Sequence, residues 1–183
     1  MVYISGGNEL LDPKKIFSQL EIKAGDKIGD LGCGGAGHFS IPAAMLVGHD
    51  GMVYAVDIVK SDLKSLASIA RLEGVQNIRT VWSNLEIFGA TNIPASSLDV
   101  AFLINTLSQS KKREEIFKEA YRLLKKDGQL LMIDWKKSTA NFGPPEANRT
   151  DFNQVKQIAK NLGLSLAAEF EAGIYHQALI FKK

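Results

Sequence analysis

The sequence predicts an α/β fold, a parallel sheet with helices on both faces. Three observations carry the prediction. Apolar runs of strand length alternate with segments whose apolar residues recur at helical spacing, the pattern of strand–helix–strand crossovers. A glycine-rich stretch, Asp30-Leu31-Gly32-Cys33-Gly34-Gly35-Ala36-Gly37, separates the first strand from the helix after it, and Asp57 ends the second strand 20 residues after Gly37. The chain closes with two alternating runs around Ala172-Gly173, which read as a hairpin.

Each element has its own local signal. Asp12 caps a short helix over residues 13–20, with Pro13 at the first position, where a missing N–H costs little. The first strand spans residues 26–31. The helix after the glycine turn carries Ile41, Ala43, Ala44, Leu46 and Val47, holds Pro42 in its first turn, and closes at Gly48 to Gly51. Met52–Asp57 is an apolar run suited to a strand buried on both faces. Ser61 caps the next helix, which carries Leu63, Leu66, Ile69, Ala70 and Leu72 and stops at Gly74. Strands follow at Ile78–Trp82 and Leu98–Ile104. A helix over residues 111–125 buries Ile116, Phe117, Ala120, Leu123 and Leu124, and Asp127-Gly128 turns into a fifth strand at 129–134. After the breakers Phe142-Gly143-Pro144-Pro145, Thr150 caps a helix carrying Phe152, Val155, Ile158, Ala159 and Leu162, which Gly163 stops. The hairpin pairs 164–170 with 174–181.

Composition narrows the function classes. At 183 residues, without linker or repeat, the chain reads as one domain over 1–183, with 1–25 an N-terminal leader and helix that can serve as a lid. Hydrophobic content of 45% and charged content of 23% are ordinary for a globular protein. A net charge of +2 is too small to argue for nucleic acid, and the lysine pairs sit mostly at element ends. Cys33 is the only cysteine, so no intrachain disulfide forms and a cytoplasmic setting is expected. No apolar run reaches the 18 or so residues of a membrane span, and no cluster of ligating side chains predicts a metal.

The glycine turn and Asp57 together describe a nucleoside pocket. Glycines let a ligand approach the main chain, the following helix presents unpaired N–H groups, and an acid ending the second strand can accept from both ribose hydroxyls. Gly32-x-Gly34-x-x-Gly37 also fits the dinucleotide fingerprint. A tight turn with no ligand is the plain alternative; the flanking strands and Asp57 argue against it. Asp30 separates two ligands. A diphosphate beside it places like charges together, at roughly 3 kcal/mol for about 5 Å and an effective dielectric near 20. The sulfonium and ammonium of S-adenosylmethionine are instead attracted.

Asp30-x-Gly32-x-Gly34 resembles motif I of class I S-adenosylmethionine-dependent methyltransferases, and the likeness runs from about Asp26 to the C-terminus. In style the sequence is similar to the type 11, ubiquinone/menaquinone-biosynthesis-like group. The resemblance implies a Rossmann-like, doubly wound, mostly parallel seven-stranded sheet with a C-terminal antiparallel hairpin. It implies S-adenosylmethionine as cofactor, S-adenosylhomocysteine as product and a small-molecule methyl acceptor. It carries over cofactor contacts to Asp30, Gly32, Gly34, Gly35, Gly37, Asp57, Ile58, Asn84, Leu85 and Asn105. Asn84 stands where many relatives carry an aspartate for the adenine amino group. The turn is one residue longer than usual, which leaves open whether Gly35, Ala36 or Gly37 touches the ligand. Leu123-Leu124-Lys125-Lys126-Asp127-Gly128 resembles the family's turn before strand five, with Lys-Asp for Pro-Gly.

Residues following strands four and five are acceptor-side candidates: Asn105, Thr106 and Gln109, then Asp134, Trp135 and Lys136. His38, Asn105 and Asp134 are the candidates for catalysis. Asn105-Thr106-Leu107-Ser108 is not the Asn-Pro-Pro-Tyr of amino-methylating enzymes, and one cysteine argues against arsenite as acceptor. Tyr3, Ser5, Gly6, Gly7 and Asn8 suggest one lid; residues 142–149 suggest another, where Arg149 could meet an anionic acceptor. Three other readings stay open: an RNA or protein methyltransferase, a non-catalytic S-adenosylmethionine-binding protein and, against Asp30, a nicotinamide oxidoreductase.

Overall fold

The computed structural model describes residues 8–137 and 142–183. After α1 (Pro13–Phe17) come β1 (Lys27–Leu31), α2 (Ser40–Val47), β2 (Met52–Asp57), α3 (Lys60–Leu72) and β3 (Ile78–Trp82). β4 (Leu98–Ile104), α4 (Arg113–Leu123), β5 (Leu124–Trp135), α5 (Phe152–Asn161), β6 (Ser165–Gly173) and β7 (His176–Lys182) complete the chain. One seven-stranded sheet has the order β3-β2-β1-β4-β5-β7-β6. β1 to β5 run parallel; β7 pairs antiparallel with β5 and β6 antiparallel with β7. This is the doubly wound arrangement that the alternation of elements predicts.

The sheet buries both faces. Phe102, Ile28 and Ile180 face α1 and α2, with Ala55 packing on Leu63 and Leu66 of α3. On the other side Phe117 of α4 and Val155 of α5 pack with Leu103, Met132 and Phe181. The order reverses at β1/β4, so a crevice opens above their carboxyl ends.

Boundaries depart from the expectations where a tertiary contact overrides a local signal. Asp12 caps α1 as predicted, accepting from Lys14 N and Lys15 N, but α1 ends at Phe17 because Gln19 N and Leu20 N close three-residue turns instead. α3 starts one residue before Ser61, with Val59 at the cap position and no side-chain cap; Asp57 fixes the entry by accepting from the Val59 N–H. Asp151, not Thr150, caps α5 through Asn153 N and Gln154 N, since the Thr150 N–H is pinned to the Trp135 carbonyl. α4 stops at Leu123, and β5 already pairs at Leu124 before Lys125–Gly128 bulge out. Asp127 adopts φ 65° in that bulge. The hairpin turns at Ile174-Tyr175, beyond Ala172-Gly173, because Gly173 is still paired with His176.

The β3–β4 connection, which supplies part of the site, is clamped by α4. The fully buried Glu119 carboxylate accepts from Gly89 N at 2.8 Å and Thr91 N at 3.0 Å. Arg122 pairs with it at 2.7 Å and donates to the Thr91 and Ile93 carbonyls. Burial alone would push the Glu119 carboxyl up; the Arg122 guanidinium and the two N–H groups outweigh it and hold the carboxyl down to about 2. A depressed carboxyl stabilises the fold above its ordinary value, and that contribution is lost as the pH falls from about 4.5 towards 2. Replacing Glu119 by Gln leaves Arg122 without its charge partner, and should cost about 3 kcal/mol in urea unfolding at pH 7. A loss under 0.5 kcal/mol would show that the clamp is idle.

Candidate functional site

A cavity of about 590 Å³ lies above the carboxyl ends of β1, β2 and β4, within the range of small-molecule pockets. The glycine turn forms one wall through Gly32, Cys33, Gly34, Gly35 and Ala36. Gly32 has φ 89°, and a Cβ there would meet the Thr106 hydroxyl at 2.6 Å. Gly34 has φ 63°, and a Cβ would meet nothing within 4 Å, so its open side is free for a ligand. Gly35 and Ala36 reach the cavity, whereas the Gly37 carbonyl receives Ile41 N at the start of α2.

Asp57 organises this wall. One carboxylate oxygen accepts from Gly34 N at 2.9 Å and the other from Val59 N at 2.9 Å. Each oxygen keeps a further lone pair for a ligand hydroxyl. Ile58, Val59 and Asp62 continue the wall from the end of β2 to the first turn of α3.

On the opposite side, Asn105 follows β4 with φ 55°. Its Nδ2 donates to Asn8 Oδ1 at 2.7 Å, and its carbonyl receives Gln109 Nε2 at 2.7 Å. Its own Oδ1 is buried without a hydrogen-bond partner among the described residues. Such an atom costs free energy until a donor arrives. A left-handed asparagine with an unanswered acceptor is the strain expected at a binding site. His38 also lines the cavity, its Nε2 lying 2.9 Å from the Leu11 carbonyl.

Other predicted residues lie elsewhere. Asp30 sits beneath the turn, 3% exposed, where it accepts from Ser40 Oγ at 2.5 Å. Asn84 stands outside the wall and shapes the loop by accepting from Glu86 N; Leu85 and Glu86 take the wall positions. Asp134 is fully buried away from the cavity. It accepts from Ser108 N at 2.9 Å and Trp135 N at 2.7 Å, so it anchors the turn after β4. Trp135 packs against His176, Phe142 and Tyr175. Arg149 is 4% exposed and donates to the Pro144 and Phe142 carbonyls, holding its own loop rather than facing an anion. Tyr3, Ser5, Gly6 and Gly7 lie outside the described residues.

The sequence reading missed Asp62, Glu86 and Glu9 as wall residues. Asp62 could have been found, as an acid in the first turn of the helix that follows Asp57. Glu86 is placed by the Ser110 hydroxyl, which donates to it at 2.6 Å across the chain, and no local signal announces that. With Asp57 these make four carboxylates, and no lysine or arginine lines the cavity among the described residues. Burial, with the Asp30 and Asp57 charges, pushes the Cys33 thiol far up, so it stays protonated and is no nucleophile.

Residues 22–179 match the family model described as a methyltransferase domain. The chain belongs to the class I S-adenosylmethionine-dependent methyltransferase family. It is 29% identical over 158 residues to the ubiquinone/menaquinone biosynthesis C-methyltransferase of Marinomonas sp., covering 86% of this chain and 61% of that protein. It is 30% identical over 128 residues to the demethylmenaquinone methyltransferase of Lactobacillus johnsonii, covering 69% of this chain and 50% of that one. The chain thus spans about half to three fifths of these curated relatives. The crystal structure of a SAM-dependent methyltransferase from Aquifex aeolicus shares the fold, with a TM-score of 0.86 at 24% identity over 98% of this chain and 93% of that one. S-adenosylmethionine is the cofactor of this family, and the cavity fits it: acids meet a cation, and Gly34 leaves its main chain open to a ligand.

Asp30 carries a stability cost that this methyltransferase family's cationic cofactor can offset. Burial pushes its carboxyl up to about 6; the Ser40 hydrogen bond works against that rise and the Asp57 charge adds to it. A raised carboxyl favours the fold at low pH, fully below about 3.8, and the contribution is lost as the pH rises through about 6. Asp30→Asn should therefore stabilise the ligand-free protein at pH 8 by on the order of 2–3 kcal/mol and flatten urea stability between pH 4 and 7. Unchanged stability at pH 8 would show that Asp30 is ionised without cost.

Proposed function

We propose that this chain transfers a methyl group from S-adenosylmethionine to a small-molecule acceptor held in the crevice above β1 and β4. The observation that carries the reading is the wall itself: among the described residues it has four carboxylates and no lysine or arginine. Such a wall favours a sulfonium and an ammonium and disfavours a diphosphate.

When bound, the cofactor supplies a methyl group on an already electrophilic sulfonium. The chain's residues bind and align. Asp57 accepts from the ribose hydroxyls with the lone pairs that Gly34 and Val59 leave free. Gly32, Gly34 and Gly35 give the amino-acid end close access to the main chain. Asn105 would line the ammonium end, and Asp30 would add attraction from beneath. Ile58 and Leu85 would flank the adenine, and the Leu85 N–H and the Glu86 carboxylate would serve its edge, with Asn84 and Gly37 shaping the loops behind. Alignment of this kind can contribute up to roughly 7–11 kcal/mol in ideal cases, so few overt catalytic groups are required.

The names of the Marinomonas and Lactobacillus relatives support a small acceptor, and that of the Marinomonas protein, a C-methyltransferase, supports methylation at carbon. The cytoplasm, where a lone thiol stays reduced, is the compartment that suits the chain. Calorimetry should detect binding of S-adenosylmethionine and S-adenosylhomocysteine and none of NAD. With methyl-labelled donor, label should then enter a metabolite panel that includes reduced demethylmenaquinone. Tight NAD binding, or label entering only RNA or protein from cell extracts, would contradict the proposal.

A further inference from the structure

We propose that His38 is the proton acceptor of the reaction, with Nδ1 as its basic atom; the inference rests on reading the cavity as a methyl-transfer site. The need for such a group follows from charge balance. When a neutral acceptor gains a methyl group from a sulfonium, the products are a neutral thioether, a methylated acceptor and one proton. That proton must leave the cavity.

The wall offers few places for it. Asp57 is engaged by two N–H groups, and Glu86 by the Ser110 hydroxyl and Lys112. Cys33 holds a thiol proton already. Asp134 is sealed off from the cavity. Of the three histidines in the chain, only His38 lines the wall: His49 lies exposed in the turn before β2, and His176 is buried against Trp135.

The geometry also fixes which nitrogen is basic. The Leu11 carbonyl can only accept, so the bond at 2.9 Å requires hydrogen on Nε2. In the neutral ring Nδ1 then carries the lone pair. Once Nδ1 is protonated, the same Nε2–H bond becomes charge-assisted without any movement of the ring. Phe39 holds the imidazole edge-on at 5.1 Å. The short segment that supplies the Leu11 carbonyl also supplies Asn8 to Asn105. His38 and Asn105 are thereby fixed relative to one another.

The same wall restricts the acceptor. An anion would find carboxylates and no cation. A cationic acceptor would compete with the cofactor's own sulfonium and ammonium for the same carboxylates, of which Glu86 is already held by Ser110 and Lys112. An uncharged acceptor with an ionisable O–H suits both limits. Its O–H bond breaks, the proton passing to Nδ1 and the electron pair staying on the acceptor. The acceptor–methyl bond forms as the carbon–sulfur bond breaks, with that electron pair remaining on sulfur, and Nδ1 then yields its proton to water.

His38→Gln separates the base from its anchor, because the glutamine amide can still donate to the Leu11 carbonyl but has no basic lone pair. Two readouts besides turnover test it on the full chain with S-adenosylhomocysteine. Long-range proton–nitrogen correlation spectra should show His38 as the Nε2–H tautomer. The probe 4-nitrophenol, whose phenolate is coloured, should ionise in the wild-type complex about one pH unit below its value in buffer. In His38→Gln that shift should vanish while S-adenosylhomocysteine still binds. An Nδ1–H tautomer, no shift in the wild type, or a shift that survives in His38→Gln would overturn the assignment. Failure of the wild type to bind S-adenosylhomocysteine would bring down the cofactor reading, and this inference with it.

Discussion

Two hydrogen bonds to one carboxylate hold the site together. Asp57 ends β2 and accepts from Gly34 N and from Val59 N. The first bond ties the glycine turn to the neighbouring strand. The second sets the entry to α3, which has no side-chain cap of its own. Without that carboxylate, a glycine-rich segment of high conformational entropy would have little to define its shape. With it, the main chain of Gly34 stands open towards the cavity, and each oxygen that braces the turn keeps a further lone pair.

The charges around this brace favour binding over stability. Asp30 is buried beneath the turn, where its charge is costly. Asn105, on the other side of the cavity, holds a left-handed backbone and an oxygen without a donor among the described residues. Both features make sense if the relief comes from a ligand that brings positive charge and N–H groups. The segment Asn8–Leu11 joins the two halves, through Asn105 on one side and His38 on the other. It is attached to both walls of the cavity.

The strands were legible because burial on both faces leaves continuous apolar runs, as at Met52–Asp57 and Leu98–Ile104, and register then follows from the sheet. The glycine turn and Asp57 were legible because the chemistry needs particular residue types at fixed spacing. Errors gathered where a distant partner decides between adjacent residues. Thr150 and Asp151 are both good caps, and only the Trp135 carbonyl, holding the Thr150 N–H, settles the choice. Asn84 and Glu86 are two residues apart, and the Ser110 hydroxyl determines which of them faces the cavity wall. Arg149 looked available for an anion; instead its donors are taken by carbonyls of its own loop. The Glu119–Arg122 clamp reads in sequence as an ordinary surface pair on a helix, and its burial depends on the loop that folds over it.

The claim that Asp57 both braces the turn and binds the cofactor is tested most directly by amide hydrogen exchange at Gly34 and Val59, with S-adenosylhomocysteine affinity measured on the same samples. In the wild type both amides should be protected. In Asp57→Ala both should exchange faster, and affinity should fall by at least about tenfold, the loss expected for a charged hydrogen bond. Protected amides and undiminished affinity in Asp57→Ala would contradict the account at its centre.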